Sequence, residues 1–391
     1  MMKTVQEARQ IVGENALPLG SILQPVATAA GYVLSAPVYS VVSVPGFMQS
    51  SMDGYAIRVQ DAGLILPVQD ELPAGTNRQE SLKAEQAIRV FTGGPVPEGA
   101  DAIVQKEWVM ATDAGIRIAE PERVVAGAHI RMPGADIQAG DLALPEGTLL
   151  HPYMISYLAG LGITHVEVYR RPKLALVITG NELIQPGLPL EYGQVYESNS
   201  FGLTAALQQA GAEQVLQWRA KDALEATEQA IAAALQQADI LLLTGGVSVG
   251  EYDYVVQACL NQGVELLFHG VKQRPGKPLF FGRKGQQLVF GLPGNPASVL
   301  SCYQQYVLPA LYRITGRKTA VPQMAQLTHA YEKKAALTVF LKGHYEAGMV
   351  TVLPAQASFQ LSAFATANCW IELDEARNDF AAMQQVPVHL F

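Results

Sequence analysis

Residues 239–254 read DILLLTGGVSVGEYDY. The run from Ile240 to Thr244 is apolar almost throughout and passes directly into two glycines. A run this short and this apolar predicts a strand buried on both faces, and the glycines predict a tight turn at its carboxyl end. The same pattern recurs at LALVIT (174–179), followed by Gly180-Asn181-Glu182-Leu183, and at QLVFGL (287–292), followed by Pro293-Gly294-Asn295-Pro296. VELLFHGV (264–271) and PLFFG (278–282) read as further strands. Helical spacing separates them. Residues 200–210 put Leu203, Ala206, Leu207 and Ala210 on one face, and further helices are predicted over 222–238, near 253–262 and over 296–313. Alternating helices and fully apolar strands predict a parallel sheet covered on both faces, a doubly wound α/β domain over about 172–316.

On either side the pattern changes. After Gly316 the segments VFLKGHYEAG, MVTVLPA and NCWIEL predict a small antiparallel β domain. Residues 45–137 carry short strand-like pieces (GYAIR, AIRVFTGG, ADAIVQKEWV, GIRIAE) broken by Gly and Pro, which predicts a second β domain. Residues 4–36 read as two helices, one on Val5, Ala8, Ile11 and Val12, the other on Leu23, Ala27 and Ala30. A helix and the strand THVEVYR follow Asp141, so 45–137 reads as an insertion in an elongated first domain.

Composition narrows the function. With 391 residues the chain is long enough for several domains. Hydrophobic residues make up 49% and charged residues 16%, which excludes a disordered chain or a coiled coil. Acids outnumber bases 35 to 27, so a nucleic-acid coat is excluded, and any anionic ligand needs a local set of donors. Cys259, Cys302 and Cys369 are too few and scattered for a disulfide framework and are expected as buried thiols. No apolar run approaches the ~18 residues of a membrane span, and no signal-peptide pattern opens the chain. A soluble, cytoplasmic protein is expected.

The chemistry is expected beyond the carboxyl ends of the strands, where doubly wound sheets bind ligands. Gly245 and Gly246 would let backbone N–H groups approach a ligand, with Ser248 as a hydroxyl donor. The segment HGVKQRPGKP concentrates Lys272, Arg274 and Lys277 around a Pro-Gly turn, suited to phosphate. Pro293 and Pro296 stiffen the loop that carries Asn295. Glu182, Asp222, Glu251 and Asp253 are carboxylates at strand mouths, suited beside phosphates to Mg²⁺; Asp222 also reads locally as a helix N-cap. In the β domain, SSMDGYAIR puts Asp53-Gly54 at the start of a strand, where the pair reads either as a ligand group or as a D-G turn. Thr92 lies in TGGPVPEGAD, and Asp136 and Asp141 in GADIQAGD. The seven histidines lack HExxH spacing, so zinc hydrolysis has no support, and nucleophilic triad chemistry is not expected.

Eight segments now line up in order: SMDGYAIR, TGGPVPEGADAIV, PGADIQAGD, LALVITGNEL, YESNSFGL, TGGVSVGEYDY, RPGKP and GLPGNPASVL. Together they resemble the molybdopterin molybdenumtransferases, the MoeA type and the related gephyrin E domain, over essentially the whole chain. The resemblance implies a multidomain α/β protein. An elongated α+β domain (1–44 and 138–171) carries an inserted β domain (45–137); a doubly wound molybdopterin-binding α/β domain (172–316) and a small β-barrel-like domain (317–391) follow. It implies a cytoplasmic homodimer, with the first two domains of one subunit facing the last two of the other across a cleft. Molybdopterin adenylyltransferase and molybdoenzyme-maturation proteins are implied as partners, nucleic acid and membrane are not.

The implied reaction is Mg²⁺-dependent insertion of molybdate into adenylylated molybdopterin with release of AMP. Asp53, Asp136, Glu182, Asp222 and Asp253 match functional acids, the last three as Mg²⁺ ligands. Thr92, Gly245, Gly246, Ser248, Lys272, Arg274, Lys277, Pro293, Asn295, Pro296 and Ser362 match cofactor-binding positions. Three positions depart from the pattern. Asn181 stands where TGDEL has an acid, Gly270 where a Lys is frequent, and no Arg precedes the stretch Leu337–Phe340; Lys272 or Lys334 would have to compensate. The alternatives are a catalytically weakened paralogue that binds or delivers molybdopterin, and a molybdopterin adenylyltransferase.

Overall fold

The computed structural model describes residues 2–247 and 254–391. By internal contacts the chain divides into two compact units: Met1–Ile22, Gly31–Ser35 and Glu167–Phe391 form one, Leu23–Ala30 and Ala36–Val166 the other.

The larger unit is built on a six-stranded sheet in the order Val215–Ala220, Leu174–Thr179, Ile240–Thr244, Gln287–Leu292, Phe280–Lys284, Glu265–His269. The strands predicted from apolar runs sit at its centre. Alternate residues feed two cores, as period-two geometry requires. Leu174, Leu176, Ile178, Ile240 and Leu242 face one side with Leu203, Leu207 and the N-terminal helix Val5–Asn15. Ala175, Val177, Leu241 and Leu243 face the other, against Ile231 and Ala234 of helix Leu224–Leu235 and Ala258 and Cys259 of helix Tyr254–Asn261. All three cysteines are free and buried, and burial pushes their thiols up to about 12.

One strand of this sheet is not read from the sequence, and one departs from the all-parallel expectation. The edge strand Val215–Ala220, only half-buried, lacks the apolar run that marks the others. Phe280–Lys284 is antiparallel to Gln287–Leu292 and to Glu265–His269. Lys284 pairs with Gln287, so only two residues turn the chain, with Gly285 at φ +61°. A parallel partner needs a crossover of roughly a dozen residues; two permit only a hairpin.

The predicted helix over 296–313 forms as Pro296–Cys302, a π-helical stretch Tyr303–Val307 and Leu308–Ile314. The wider turn precedes Pro309, which has no N–H to give the helix. At the N-terminus, Val5–Asn15 is closed by a capping box: Glu7 N–H donates to Thr4 Oγ1 at 3.2 Å, and Thr4 N–H to Glu7 Oε2 at 2.7 Å. The second helix expected there is absent. Ser21–Pro25 is a strand and Val26–Thr28 a 3₁₀ turn; Leu23, counted toward an apolar face, is 66% exposed.

The chain ends in a closed barrel within this unit, in the order Gln273–Arg274, Thr338–Glu346, Met349–Val352, Gln323–Leu327, Gln385–Leu390, Cys369–Leu373, with the last also pairing Thr338–Glu346. Most pairings are antiparallel as expected; Gln323–Leu327 runs parallel to Met349–Val352, and Gln273–Arg274 parallel to Thr338 and Val339.

The smaller unit holds a four-stranded sheet, Val68–Leu72, Ala87–Val90, Gly54–Ile57 and Ala102–Gln105, beside a three-stranded one, Ile65–Leu66, Gly115–Ile118 and Val109–Thr112. Ile57, Val104 and Ile116 pack on one face; Ala56, Ile88, Val90 and Ile103 on the other. Among the described residues no helix is long and apolar enough to cross a membrane.

Candidate functional site

Strands Leu174–Thr179, Ile240–Thr244 and Gln287–Leu292 run parallel, so their carboxyl ends open on one edge of the sheet. An open cleft of about 300 Å³ lies there, lined by Thr179, Gly180, Glu182, Asp222, Gly245, Gly246, Val247, Pro278, Pro293 and Gly294. Its floor is bare backbone. A β-carbon on Gly245, at φ +86°, would lie 2.8 Å from both the carbonyl and hydroxyl oxygens of Thr179. At Gly246 one would lie 2.8 Å from Val255 Cγ2. Only glycine permits this turn.

Glu182 and Asp222 put two carboxylates on the cleft. Asp222 does not cap the helix after it: the N-cap of Leu224–Leu235 is Ala223, with no side-chain bond. Instead Asp222 Oδ2 accepts from Asn181 N–H at 2.8 Å, and Asp222 N–H donates to Asn181 Oδ1 at 3.3 Å. Ser248, Glu251 and Asp253 lie outside the described residues. Among the described residues no three His, Cys, Asp or Glu side chains converge as a complete metal cage. Two carboxylates on an open cleft suit a hard cation that keeps waters and takes substrate oxygens, which is the habit of Mg²⁺.

The proline loop is well fixed. Pro293 is buried, and Pro296 opens helix Pro296–Cys302 after Asn295. The Asn295 carbonyl accepts from Ser298 and Val299 N–H, and its exposed amide caps nothing. Asn199, in YESNSFGL, donates Nδ2–H to the Gly294 carbonyl at 2.8 Å; it escapes sequence reasoning because its partner is 95 residues away. Ala297 N–H donates to the Ser358 carbonyl at 3.0 Å, tying this helix to the loop before Ser362, which is itself exposed. That loop hangs on Lys342, 1% exposed, whose amine donates to the carbonyls of Ala357 and Gln360.

The basic segment is only partly brought in. Its Pro278 lines the cleft, whereas Lys272, Arg274 and Lys277 do not. Gln273 and Arg274 join the barrel sheet, and Arg274 and Lys277 are exposed. At Gly276 a β-carbon would lie 2.5 Å from Cys302 Sγ, so the turn packs directly on the helix. Gly270 sits at φ +90° with its carbonyl accepting from Lys3 N–H, and a β-carbon there would lie 3.1 Å from Met2 Cγ. A lysine is disfavoured by this backbone.

In the smaller unit Asp53 Oδ1 accepts from both the N–H and the hydroxyl of Thr92, each at 2.8 Å. Lys106 Nζ lies 4.0 Å from Oδ2. The Thr92 N–H, then its hydroxyl, and to a lesser degree Lys106 and Arg89, hold the Asp53 carboxyl below its usual range. Gly54 begins a strand, as read from the sequence, and that strand is paired on both sides, so the alternative of a D-G turn falls. Asp136 is exposed, and its N–H donates to the Val44 carbonyl at 2.9 Å.

Three family signatures span this architecture: the MoeA N-terminal region (domain I and II) over residues 3–162, a probable molybdopterin binding domain over 175–313, and the MoeA C-terminal region (domain IV) over 324–391. The chain belongs to the MoeA family. It is 33% identical to a molybdopterin molybdenumtransferase of Haemophilus influenzae, covering 100% of this chain and 99% of that one. It is 34% identical to molybdopterin molybdenumtransferase 2 of Mycobacterium tuberculosis, covering 99% of both. A crystal structure of the molybdopterin biosynthesis MoeA protein from Pyrococcus horikoshii superimposes with a TM-score of 0.87 at 28% identity, covering 100% of this chain and 99% of that one. The MoeA resemblance read from the eight segments is thereby borne out, and the chain is an enzyme of this transferase class.

Proposed function

We propose that this MoeA-family chain inserts molybdenum from molybdate into adenylylated molybdopterin. Water cleaves the phosphoanhydride, AMP leaves, and molybdenum is retained on the dithiolene sulfurs. The observation that carries this is the cleft itself: bare glycine backbone beside two carboxylates at the mouth of a parallel sheet. Gly245, Gly246, Ser248 and Asn295 hold the pterin and its phosphates. Glu182, Asp222 and Asp253 hold Mg²⁺, which when bound relieves the charge of the phosphoanhydride oxygens. Lys272, Arg274 and Lys277 offset the charge of molybdate and diphosphate from outside the cleft lining. Pro293 and Pro296 keep the loop rigid.

Asp53, held ionised by Thr92 and reaching the cleft from the partner subunit, orients water or ligand, with Asp136 and Ser362 as further contacts. The four-domain division belongs to the same proposal, as does a cytoplasmic homodimer. Helix Pro152–Gly160 supports the dimer: it buries only Leu158 and leaves Tyr153 84% exposed. Gly270 favours, as a second reading, a weakened paralogue that binds the pterin without turnover, since the cation frequent there is missing.

The test is AMP release from adenylylated molybdopterin with molybdate and Mg²⁺, by the wild type and by Asp53→Ala. Molybdate-dependent release that is lost in the variant is expected. Tight pterin binding with no release by the wild type would overturn the transferase in favour of the binding paralogue.

A further inference from the structure

Strands Leu174–Thr179 and Val215–Ala220 are parallel neighbours, with Thr179 in register with Ala220. Each strand runs into a loop with a polar side chain, Asn181 after the first and Asp222 after the second. They are tied by a two-way exchange: Asn181 N–H to Asp222 Oδ2 at 2.8 Å, and Asp222 N–H to Asn181 Oδ1 at 3.3 Å. Asp222 lines the cleft; Asn181, which is exposed, does not. The helix after Asp222 makes no use of its carboxylate. Among the described residues nothing donates to Asp222 Oδ1.

We propose that Asn181 is a positioning residue. It clamps one oxygen of Asp222 and the backbone beneath it, and so presents the other oxygen for the cation and phosphate chemistry of the cleft. The proposal rests on the reading of that cleft given above. The neutral amide matters as well as the geometry. An aspartate at 181 would accept from Asp222 N–H equally well, but would add a carboxylate beside Glu182 and Asp222. A third negative charge strengthens the hold on a divalent cation and repels a diphosphate. Asn181 thus keeps the geometry while limiting the charge.

The test uses Asn181→Ala and Asn181→Asp in the full chain. Mn²⁺ binding is measured by electron paramagnetic resonance without substrate, and molybdate-dependent AMP release is measured in parallel. Alanine keeps the residue's own N–H but loses the return bond from Asp222. Mn²⁺ affinity and turnover should both fall about three- to tenfold, the range one hydrogen bond supports, with thermal unfolding unchanged because the side chain is exposed. Aspartate should restore or exceed wild-type Mn²⁺ affinity while raising KM for the adenylylated substrate. Wild-type Mn²⁺ affinity and turnover in the alanine variant would overturn the role of Asn181 while leaving the cleft reading intact. A folded wild type that neither binds Mn²⁺ nor releases AMP would overturn the cleft reading, and the clamp with it.

Discussion

The sharpest prediction concerns Gly54. The residue begins the strand Gly54–Ile57, which pairs with Ala87–Val90 on one side and Ala102–Gln105 on the other. Its φ is not in the left-handed region, so conformational freedom is not what it supplies. Space is. A β-carbon on Gly54 would lie 2.0 Å from the Val104 carbonyl oxygen and 2.9 Å from its carbonyl carbon. An ordinary carbon–oxygen contact is well above 3 Å, so Gly54→Ala must push two bonded strands apart by more than 1 Å. Neither side can yield by rotating a side chain, because the obstacle is backbone. Overpacking of this kind typically costs 1–3 kcal/mol, and a rigid obstacle puts it at the upper end, about 3 kcal/mol or more. For a unit of this size that is roughly 10 °C in Tm.

The displacement also reaches Asp53, which precedes Gly54 and whose carbonyl accepts from Lys106 N–H. Turnover should therefore fall along with stability. The assay is urea unfolding with Gly63→Ala as the matched control, since a β-carbon at Gly63 meets nothing within 4 Å. The control should stay within about 0.5 kcal/mol of the wild type. Gly54→Ala unfolding at the same midpoint as the control would refute the reasoning.

Two further outcomes are expected. Thr92→Val removes the hydroxyl donor to Asp53 but keeps the N–H, so the Asp53 carboxyl rises and the acid limb of kcat/KM moves to higher pH; an unmoved limb would count against Asp53 acting as the ionised carboxylate. At Glu372, burial alone would raise the carboxyl, but hydrogen bonds from His389 and Arg9 outweigh it and bring it down to about 2. A folded-state pKa below the unfolded one gives stability that is present above the ordinary carboxylate value and lost as pH falls toward 2. Glu372→Gln should lower stability at pH 7 by about 1–3 kcal/mol and flatten the acid side of urea midpoint against pH; a variant with the wild-type acid slope would contradict this.

Legibility in the sequence followed burial. Strands with both faces buried declare themselves as apolar runs, so Leu174–Thr179, Ile240–Thr244 and Gln287–Leu292 could be read directly, and with them the edge where ligands bind. The half-buried edge strand Val215–Ala220 carried no such run. The hairpin at Gly285 was missed because the apolar runs on either side of it read as strands of a parallel sheet. The expected helix around Leu23, Ala27 and Ala30 failed because spacing records periodicity and not burial, and Pro25 withholds a backbone donor.

Local chemistry, then, was determined by the sequence alone: which loops carry glycines, prolines, acids and bases, and that those loops follow buried strands. Such information lies within a few neighbouring residues. Pairings between distant residues were decided only in the tertiary structure. Asn181 meets Asp222 across 41 residues and Asn199 meets Gly294 across 95, because adjacent strands bring their loops together. Gly54 is legible as the start of a strand, but that the Val104 carbonyl oxygen lies 2.0 Å from where a side chain would begin is seen only in the tertiary structure. Lys272, Arg274 and Lys277 read as a cluster aimed at the ligand, yet Gln273 and Arg274 are drawn into the barrel sheet, and the cleft receives Pro278. The physical reason is the same in each case. Hydrogen-bond geometry and excluded volume act between atoms close in space, and a linear pattern records only which atoms are close along the chain.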